Sequence, residues 1–211
     1  MKKFSLAKIF FIILVVVLIV YLIFVCSKWL FLTTISKNYE ASKSLNNYSY
    51  VHESQTSTVH YWQKDNLKKL HFQLANGEGN FITWEDTKSG EKYTFQELSK
   101  TYSVAQQGIS SSLPRSSYVT DLNETYIRFL YALNPTIFIL VGHYEETPCY
   151  SIHSLLHGGV TETVDQKTGL LVYGKTQDGN DGHIRYIFNQ VADQDVEKPD
   201  LSQYVFVEKP Q

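Results

Sequence analysis

Residues 9–26 read IFFIILVVVLIVYLIFVC, a run without a charged residue, a proline or a glycine. As a helix this run rises about 27 Å, close to the roughly 30 Å hydrocarbon core of a bilayer. Apolar character resumes after Lys28 with the sequence WLFL. The pattern predicts a transmembrane anchor over residues 9–32, a short tail at residues 1–8 and one domain over residues 33–211.

Lysines flank the predicted anchor on both sides. Lys2, Lys3 and Lys8 precede it, and Lys28 and Lys37 follow it. The excess on the N-terminal side is small, and it predicts a cytoplasmic N-terminus with the C-terminal domain on the extracytoplasmic side of the cell membrane. Lys28 is expected to snorkel to the membrane interface.

Three other interpretations of the apolar run stay open. Cleavage of a signal peptide after Val25-Cys26-Ser27 is one, although the run exceeds the roughly 7–15 apolar residues of such peptides. Lipid modification of Cys26 is the second, with the bulky Val25 against it. A buried core helix is the third, but the rest of the chain offers little apolar helical surface to enclose it. An uncleaved single-pass anchor is the favoured interpretation.

The remainder of the chain is acidic and poor in cysteine. Residues 38–211 hold 14 Lys plus Arg against 21 Asp plus Glu, a formal charge of 14 − 21 = −7. This balance argues against nucleic-acid binding and against electrostatic docking on anionic lipid. Cys26 and Cys149 lie too far apart to form a plausible disulfide, and the apolar context of Cys149 predicts a buried small hydrophobe.

After a helix at residues 33–46, the sequence alternates with period two, as strands do. The Ser-rich segment 108–119 predicts a loop that crosses the domain or hangs over it, and residues 122–133 predict a helix whose apolar stripe packs on the sheet. Two segments share the pattern Asp-x-Lys-[Ser/Thr]-Gly, at residues 86–90 and 165–169, which indicates tight hairpin turns. Strands are predicted at 48–53, 58–63, 67–75, 81–85, 92–95, 101–105, 136–144, 149–157, 160–165, 170–175 and 183–191.

No arrangement of polar residues predicts a reaction. His153 and His157 would lie about 13 Å apart on a strand, too far to share a metal ion. The segment 178–182 resembles the start of a calcium loop but lacks the later ligands. Phosphate-binding, G-x-S-x-G and H-E-x-x-H motifs are missing from the sequence. We therefore expect no enzyme activity, no metal and no cofactor, and keep a hydrolase with dispersed residues as a minor alternative.

The sequence also resembles a known family. The segments 148–152 (PCYSI) and 163–171 (TVDQKTGLL) look like a strand pair of the bacterial lipoprotein-carrier-like (LolA/LolB-like) superfamily. The resemblance covers about residues 38–206. It implies an α+β fold, in which a curved antiparallel half-barrel carries one or two helices on its concave side. It also implies an apolar concavity that takes acyl chains or a partner peptide.

Large side chains on both phases of several strands fit a ligand-lined concavity or a dry core. The expected function is a membrane-anchored domain that binds a hydrophobic ligand, a lipid or an acylated partner. A tether at residues 9–32 would exclude shuttling between membranes. The alternative is a non-enzymatic interaction or envelope-sensing module that engages an envelope protein. The residues expected to line the concavity are Tyr61, Trp62, Phe72, Phe81, Trp84, Tyr126, Phe129, Leu130, Phe138 and Leu140.

Overall fold

The computed structural model describes residues 6–109, 113–155, 159–176 and 178–208. Among them, strands dominate and two α-helices interrupt them. The elements are α1 (Leu6–Ser42), β1 (Asn47–Ser54), β2 (Ser57–Lys64), β3 (Leu67–Leu74), β4 (Asn80–Asp86), β5 (Lys92–Gln96), β6 (Thr101–Val104), α2 (Thr125–Leu133), β7 (Ile137–Tyr144), β8 (Thr147–Ser154), β9 (Val160–Asp165), β10 (Leu171–Lys175), β11 (Asp181–Phe188) and β12 (Val205–Phe206).

All the described strands belong to one curved, unclosed sheet. Its order is β12-β6-β5-β4-β3-β2-β1-β11-β10-β9-β8-β7. Neighbours are antiparallel except β12 and β6, which are parallel. The pairing of β1 with β11 joins the two meanders into a single sheet. The predicted α+β fold with a curved sheet is confirmed.

The two matching Asp-x-Lys-[Ser/Thr]-Gly segments form equivalent turns. The Oδ1 atoms of Asp86 and Asp165 each accept a hydrogen bond from the backbone N–H two residues later, at 2.8 Å. Gly90 and Gly169 follow with φ angles of 78° and 68°, a conformation that favours glycine. The predicted turn chemistry is confirmed.

The helix α1 has two parts with different surroundings. From Leu6 to Phe24 its side chains are exposed or half-buried and overwhelmingly apolar. From Val25 onwards one side of the same helix is buried against the sheet. The helix predicted at residues 33–46 is therefore continuous with the apolar run and ends at Ser42. The sheet face on which α1 lies is called the inner face below, and the opposite one the outer face.

The expectation that Lys28 snorkels outward is wrong. Its side chain is 2% exposed, and Nζ donates hydrogen bonds to the carbonyl oxygens of Asn134 and Ile137, at 2.5 and 3.3 Å. These two residues follow α2. Lys28 therefore fastens α1 to the end of α2 instead of reaching the membrane interface.

The centre of the inner face is a row of stacked tyrosines. The rings of Tyr48 and Tyr50 lie 5.6 and 5.0 Å from that of Tyr61 across the β1–β2 pair. Tyr186 on β11 continues the row, 5.9 Å from Tyr50. Tyr48 and Tyr50 share a face because every second side chain of a strand points to the same side of the sheet.

The C-terminal segment covers the outer face of the first meander. The indole of Trp84 on β4 donates a hydrogen bond to the carbonyl of Val196, at 2.9 Å. Tyr204 packs edge-on against Phe95, 5.0 Å between ring centroids. Strand β4 thus has large apolar residues on both phases, with Phe81 on the inner face and Trp84 on the outer face under this segment.

The expectation that the apolar stripe of the second helix packs on the sheet is wrong. Helix α2 begins at Thr125, and its buried residues are Arg128 and Ala132. Tyr126, Phe129 and Leu130 are 71%, 46% and 44% exposed. The helix packs instead on α1, because the inner face of the sheet is already occupied by the second half of α1.

Candidate functional site

The inner face carries a first cavity of about 610 Å³. Its floor is formed by β1–β5, and the rings of Phe72 and Phe81 stack there at 4.9 Å. Both rings are half-buried. Thr83 and Thr94 add hydroxyl groups to the floor. The remaining lining residues are Tyr50, Val59, Leu70, Ala105, Gln106, Gln107, Gly108 and Ile109.

The predicted loop, called the crossing loop below, lies on the inner face in its described parts, residues 105–109 and 113–119, and the first part walls this cavity. At its first end, the Glu85 carboxylate accepts a hydrogen bond from the Ile109 N–H at 2.7 Å, and Lys68 Nζ lies 4.0 Å from the same oxygen. Gly108 permits this approach, because a Cβ there would lie 2.4 Å from Glu85 Oε1. The predicted crossing loop is confirmed over its described residues, and residues 110–112 lie outside them.

The second end of the crossing loop is fixed under α1. Tyr39 donates its hydroxyl hydrogen to the Leu113 carbonyl at 3.2 Å. Glu162 on β9 accepts hydrogen bonds from both the backbone N–H and the hydroxyl of Ser117, each at 2.7 Å. Carboxylates on the sheet thus hold the loop at both ends.

A second cavity of about 600 Å³ lies on the other side of the loop. Ile184, Leu171 and Val160 supply apolar surface, whereas Arg115 and Lys175 bring charge. The other lining residues are Tyr50, His52, Ser54, Val59, Pro114, Glu162, Gly174, Thr176, Asn180, Asp181 and Gly182. Gly182 leaves room for His52, whose Nε2 would lie 2.6 Å from a Cβ at that position.

Tyr50 and Val59 line both cavities, so the two adjoin on β1 and β2. Burial, reinforced by Tyr48, raises the pKa of Tyr50 to about 12. Burial lowers the pKa of His52 below its usual value. The part of the floor that the two cavities share, Tyr50 and Val59, therefore carries no charge at pH 7 and suits an apolar part of a ligand.

The structure brings two of the ten predicted ligand-binding residues, Phe72 and Phe81, to the cavities. Tyr61 is on the same face but 1% exposed, in the tyrosine row. Trp62 and Trp84 are on the outer face, Trp84 under the C-terminal segment. The remaining five are Tyr126, Phe129 and Leu130 on the exposed side of α2, and Phe138 and Leu140 on the edge strand β7.

Sequence reasoning missed several lining residues that a strand register would have identified. Val59 pairs with Phe72, and Phe72 pairs with Phe81, so the three share one face. Val59 has the same phase as Tyr61, and Leu70 has the same phase as Phe72. Ile109 carried no such signal, because it lies in the loop.

Titratable groups do not assemble into a metal centre within the described residues. His153 contacts the Thr161 hydroxyl at 3.0 Å, and His157 lies outside the described residues. His183 Nε2 is 3.9 Å from Asp181 Oδ2, and its other ring nitrogen contacts the Tyr144 hydroxyl. The pKa of the Cys149 thiol is raised to about 11 by burial, and the residue is 1% exposed, as predicted.

Comparisons with known proteins give only distant structural likeness. No family model and no curated protein matches the chain. An uncharacterised conserved protein from Thermus thermophilus is similar with a TM-score of 0.49 and 8% identity, over 82% of this chain and 96% of that one. MucB is similar with a TM-score of 0.41 and 14% identity, over 85% of this chain and 64% of MucB.

MucB in complex with MucA(peri) gives a TM-score of 0.40 and 13% identity, over 86% of this chain and 62% of that one. The chain thus spans less than two thirds of either MucB chain. All three TM-scores lie below 0.5.

Proposed function

We propose that this protein is a membrane-anchored, LolA/LolB-like domain that binds a hydrophobic ligand, the acyl part of a lipid or of an acylated partner, on the inner face of its sheet. The observation that carries this proposal is the first cavity. Phe72 and Phe81 are left half-buried there, and the volume falls within the roughly 300–1,000 Å³ of ligand sites. No catalytic role is assigned to any residue.

The anchor supports a lipid-derived ligand over a soluble one. One helix is long and apolar enough to cross a membrane, with a mean hydropathy of 3.6 over its best window, and that window is 6% buried. A core helix would be largely enclosed, so this exposure supports a membrane span. We propose an uncleaved anchor with the domain on the extracytoplasmic side, where lipid is within reach of the inner face.

Photolabelling tests the ligand proposal. The full chain in lipid nanodiscs is given a trace of diazirine-bearing palmitate, irradiated and mapped by mass spectrometry of peptides. We expect adducts on β3 and β4 around Phe72 and Phe81, besides those on α1. A chain with adducts on α1 alone would contradict the proposal.

A matched pair of variants makes the test specific. Thr83→Trp places a large ring on the floor of the first cavity and should reduce labelling of β3 and β4. Thr58→Trp adds the same ring on the outer face, because Thr58 has the opposite phase to Val59. It should leave labelling unchanged. Equal effects of the two variants would show that labelling does not depend on the cavity.

The second candidate function is protein interaction without a small ligand. Strand β7 is at the edge of the sheet, and its Leu140 and Val141 are 58% and 64% exposed. An exposed edge of this kind can accept a strand from a partner chain. A photocrosslinking amino acid at position 141, compared with one at position 98 in the β5–β6 turn, would capture such a partner from intact membranes.

A further inference from the structure

The exposed side chains of α2 and of the adjoining part of α1 are uncharged, because the cations of this region are buried. Between Lys8 and Lys37, the only charged residue of α1 is Lys28, which is buried. Helix α2 packs on this part of α1, through a contact between the rings of Trp29 and Phe129 at 6.1 Å. Its only charged residue, Arg128, is 3% exposed.

Both buried cations donate to uncharged oxygen atoms, and of the Arg128 guanidinium only Nε has no partner. Arg128 donates to the hydroxyls of Thr120 and Thr125 and to the carbonyls of Asp121 and Leu122. Lys28 donates to the carbonyls that follow α2. Groups arranged in this way leave no charge on the exposed side, as is required of a surface that faces lipid.

Side chains of α1 donate hydrogen bonds to carbonyl groups at the C-terminal end of α2. The last carbonyl groups of a helix have no partner within the helix. Here the Tyr21 hydroxyl donates to the Leu133 carbonyl at 2.7 Å, and Lys28 donates to that of Asn134. The donors come from α1, within or next to its apolar run. Backbone groups in a lipid environment need such internal partners, because no water reaches them there.

The length of the uncharged surface matches a whole bilayer. Lys8 and Lys37 are both exposed, and the helix between them is about 43 Å long at about 1.5 Å per residue. A bilayer with its headgroup regions is about 40–45 Å thick. When the two lysines lie at opposite surfaces, the segment from Tyr21 to Trp29, with α2 beside it, lies within the leaflet on the domain side.

We propose that α2 is immersed in this leaflet and that Tyr126, Phe129 and Leu130 face lipid, together with the exposed side of α1 up to Leu30. The proposal rests on the anchor in the proposed function and is independent of the cavities. The exposed apolar stripe of α2 would then contact the same bilayer that α1 crosses. The domain is thereby held against the membrane by a base of two helices instead of hanging from one.

Spin-label accessibility tests this placement in the full chain reconstituted into liposomes. The background carries Cys26→Ser, because Cys26 is exposed, and keeps Cys149, which is buried. Single labels are introduced by Val16→Cys in the span, Leu130→Cys on α2 and Leu98→Cys in the β5–β6 turn. Leu98 is the matched control, 66% exposed and outside both helices. Tyr126→Cys is a second reporter on α2.

We expect labels at 16, 126 and 130 to be reached more readily by oxygen than by a water-soluble nickel chelate, and the label at 98 to behave oppositely. Labels on α2 that behave like the one at 98, with 16 in lipid, would overturn the placement and leave the anchor intact. Labels on α2 shielded from both reagents would mean a protein neighbour and would also overturn it. An aqueous label at 16 would remove the anchor and the placement together.

Discussion

The contact between α1 and the β9–β10 turn gives a prediction that can be worked from atomic positions. A Cβ on Gly169 would lie 2.4 Å from the Ile35 carbonyl oxygen and 2.6 Å from the Tyr39 nitrogen. Both are backbone atoms of α1, so neither can rotate away. Gly169→Ala therefore requires the turn to move away from the helix.

Gly90→Ala is the matched control. Gly90 occupies the equivalent turn with a similar φ, but a Cβ there meets nothing within 4 Å. A left-handed conformation costs a non-glycine residue roughly 1–2 kcal/mol, and this term is common to both variants. At Gly169 the displacement also removes the hydrogen bonds from Asn38 to the Gln166 carbonyl and from Ser42 to the Thr168 carbonyl. Each is worth about 1 kcal/mol.

We expect Gly169→Ala to lower the free energy of unfolding by about 3–4 kcal/mol and Gly90→Ala by about 1–2 kcal/mol. The assay is urea unfolding of the full chain in detergent, followed by tryptophan fluorescence. The slope of the free energy of unfolding against urea concentration should be the same for both variants, so that the midpoint of the transition reports stability. Equal losses for the two variants would refute the reasoning, because they would show that only turn strain matters and that α1 is not fixed by this turn.

Three further predictions concern Lys28, Gly108 and Tyr50. Lys28→Met removes the two hydrogen bonds to the carbonyls of Asn134 and Ile137 and should lower the free energy of unfolding by about 1–3 kcal/mol in the same assay. Lys37→Met, at an exposed site, should change it by less than about 0.5 kcal/mol. Gly108→Ala should displace the crossing loop from Glu85 and raise palmitate photolabelling of β3 and β4, with Gly142→Ala as the unhindered control; unchanged labelling would mean that the loop does not limit access. The free energy of unfolding should fall between about pH 10 and 12, by up to about 3 kcal/mol. An unfolded tyrosine has a pKa near 10, whereas the pKa of Tyr50 in the folded protein is about 12. In this range the unfolded state therefore loses a proton that the folded state retains. Tyr50→Phe should make that decline shallower, and an identical decline in the variant would exclude Tyr50 as its origin.

Local patterns predicted the strands and turns because their cause is local. Alternation of side chains and the Asp and Gly chemistry of the two matching turns depend on neighbours a few residues away. The tyrosine row follows in the same way from the phases of Tyr48, Tyr50 and Tyr61.

The site was harder to predict, because several faces of the molecule are apolar for different reasons. Phe81 faces a cavity, Trp84 is covered by the C-terminal segment and Phe129 is exposed on α2. Aromatic content alone cannot distinguish these three environments. Lys28 was misplaced for a related reason, since its partners are carbonyl groups more than one hundred residues away in the chain.

The seam between β1 and β11 has a consequence for when the domain can form. Tyr48 pairs with Phe188 across this seam, so the strand that follows α1 must wait for one that is made about 140 residues later in the chain. Closing so long a loop is slow in comparison with forming local hairpins. Trp84 and Phe95 stay uncovered until the segment after Asn189 is also available. The two halves of the sheet can therefore join only after β11 has been made, and a chain whose translation stops earlier would carry the first meander with its β1 edge unpaired.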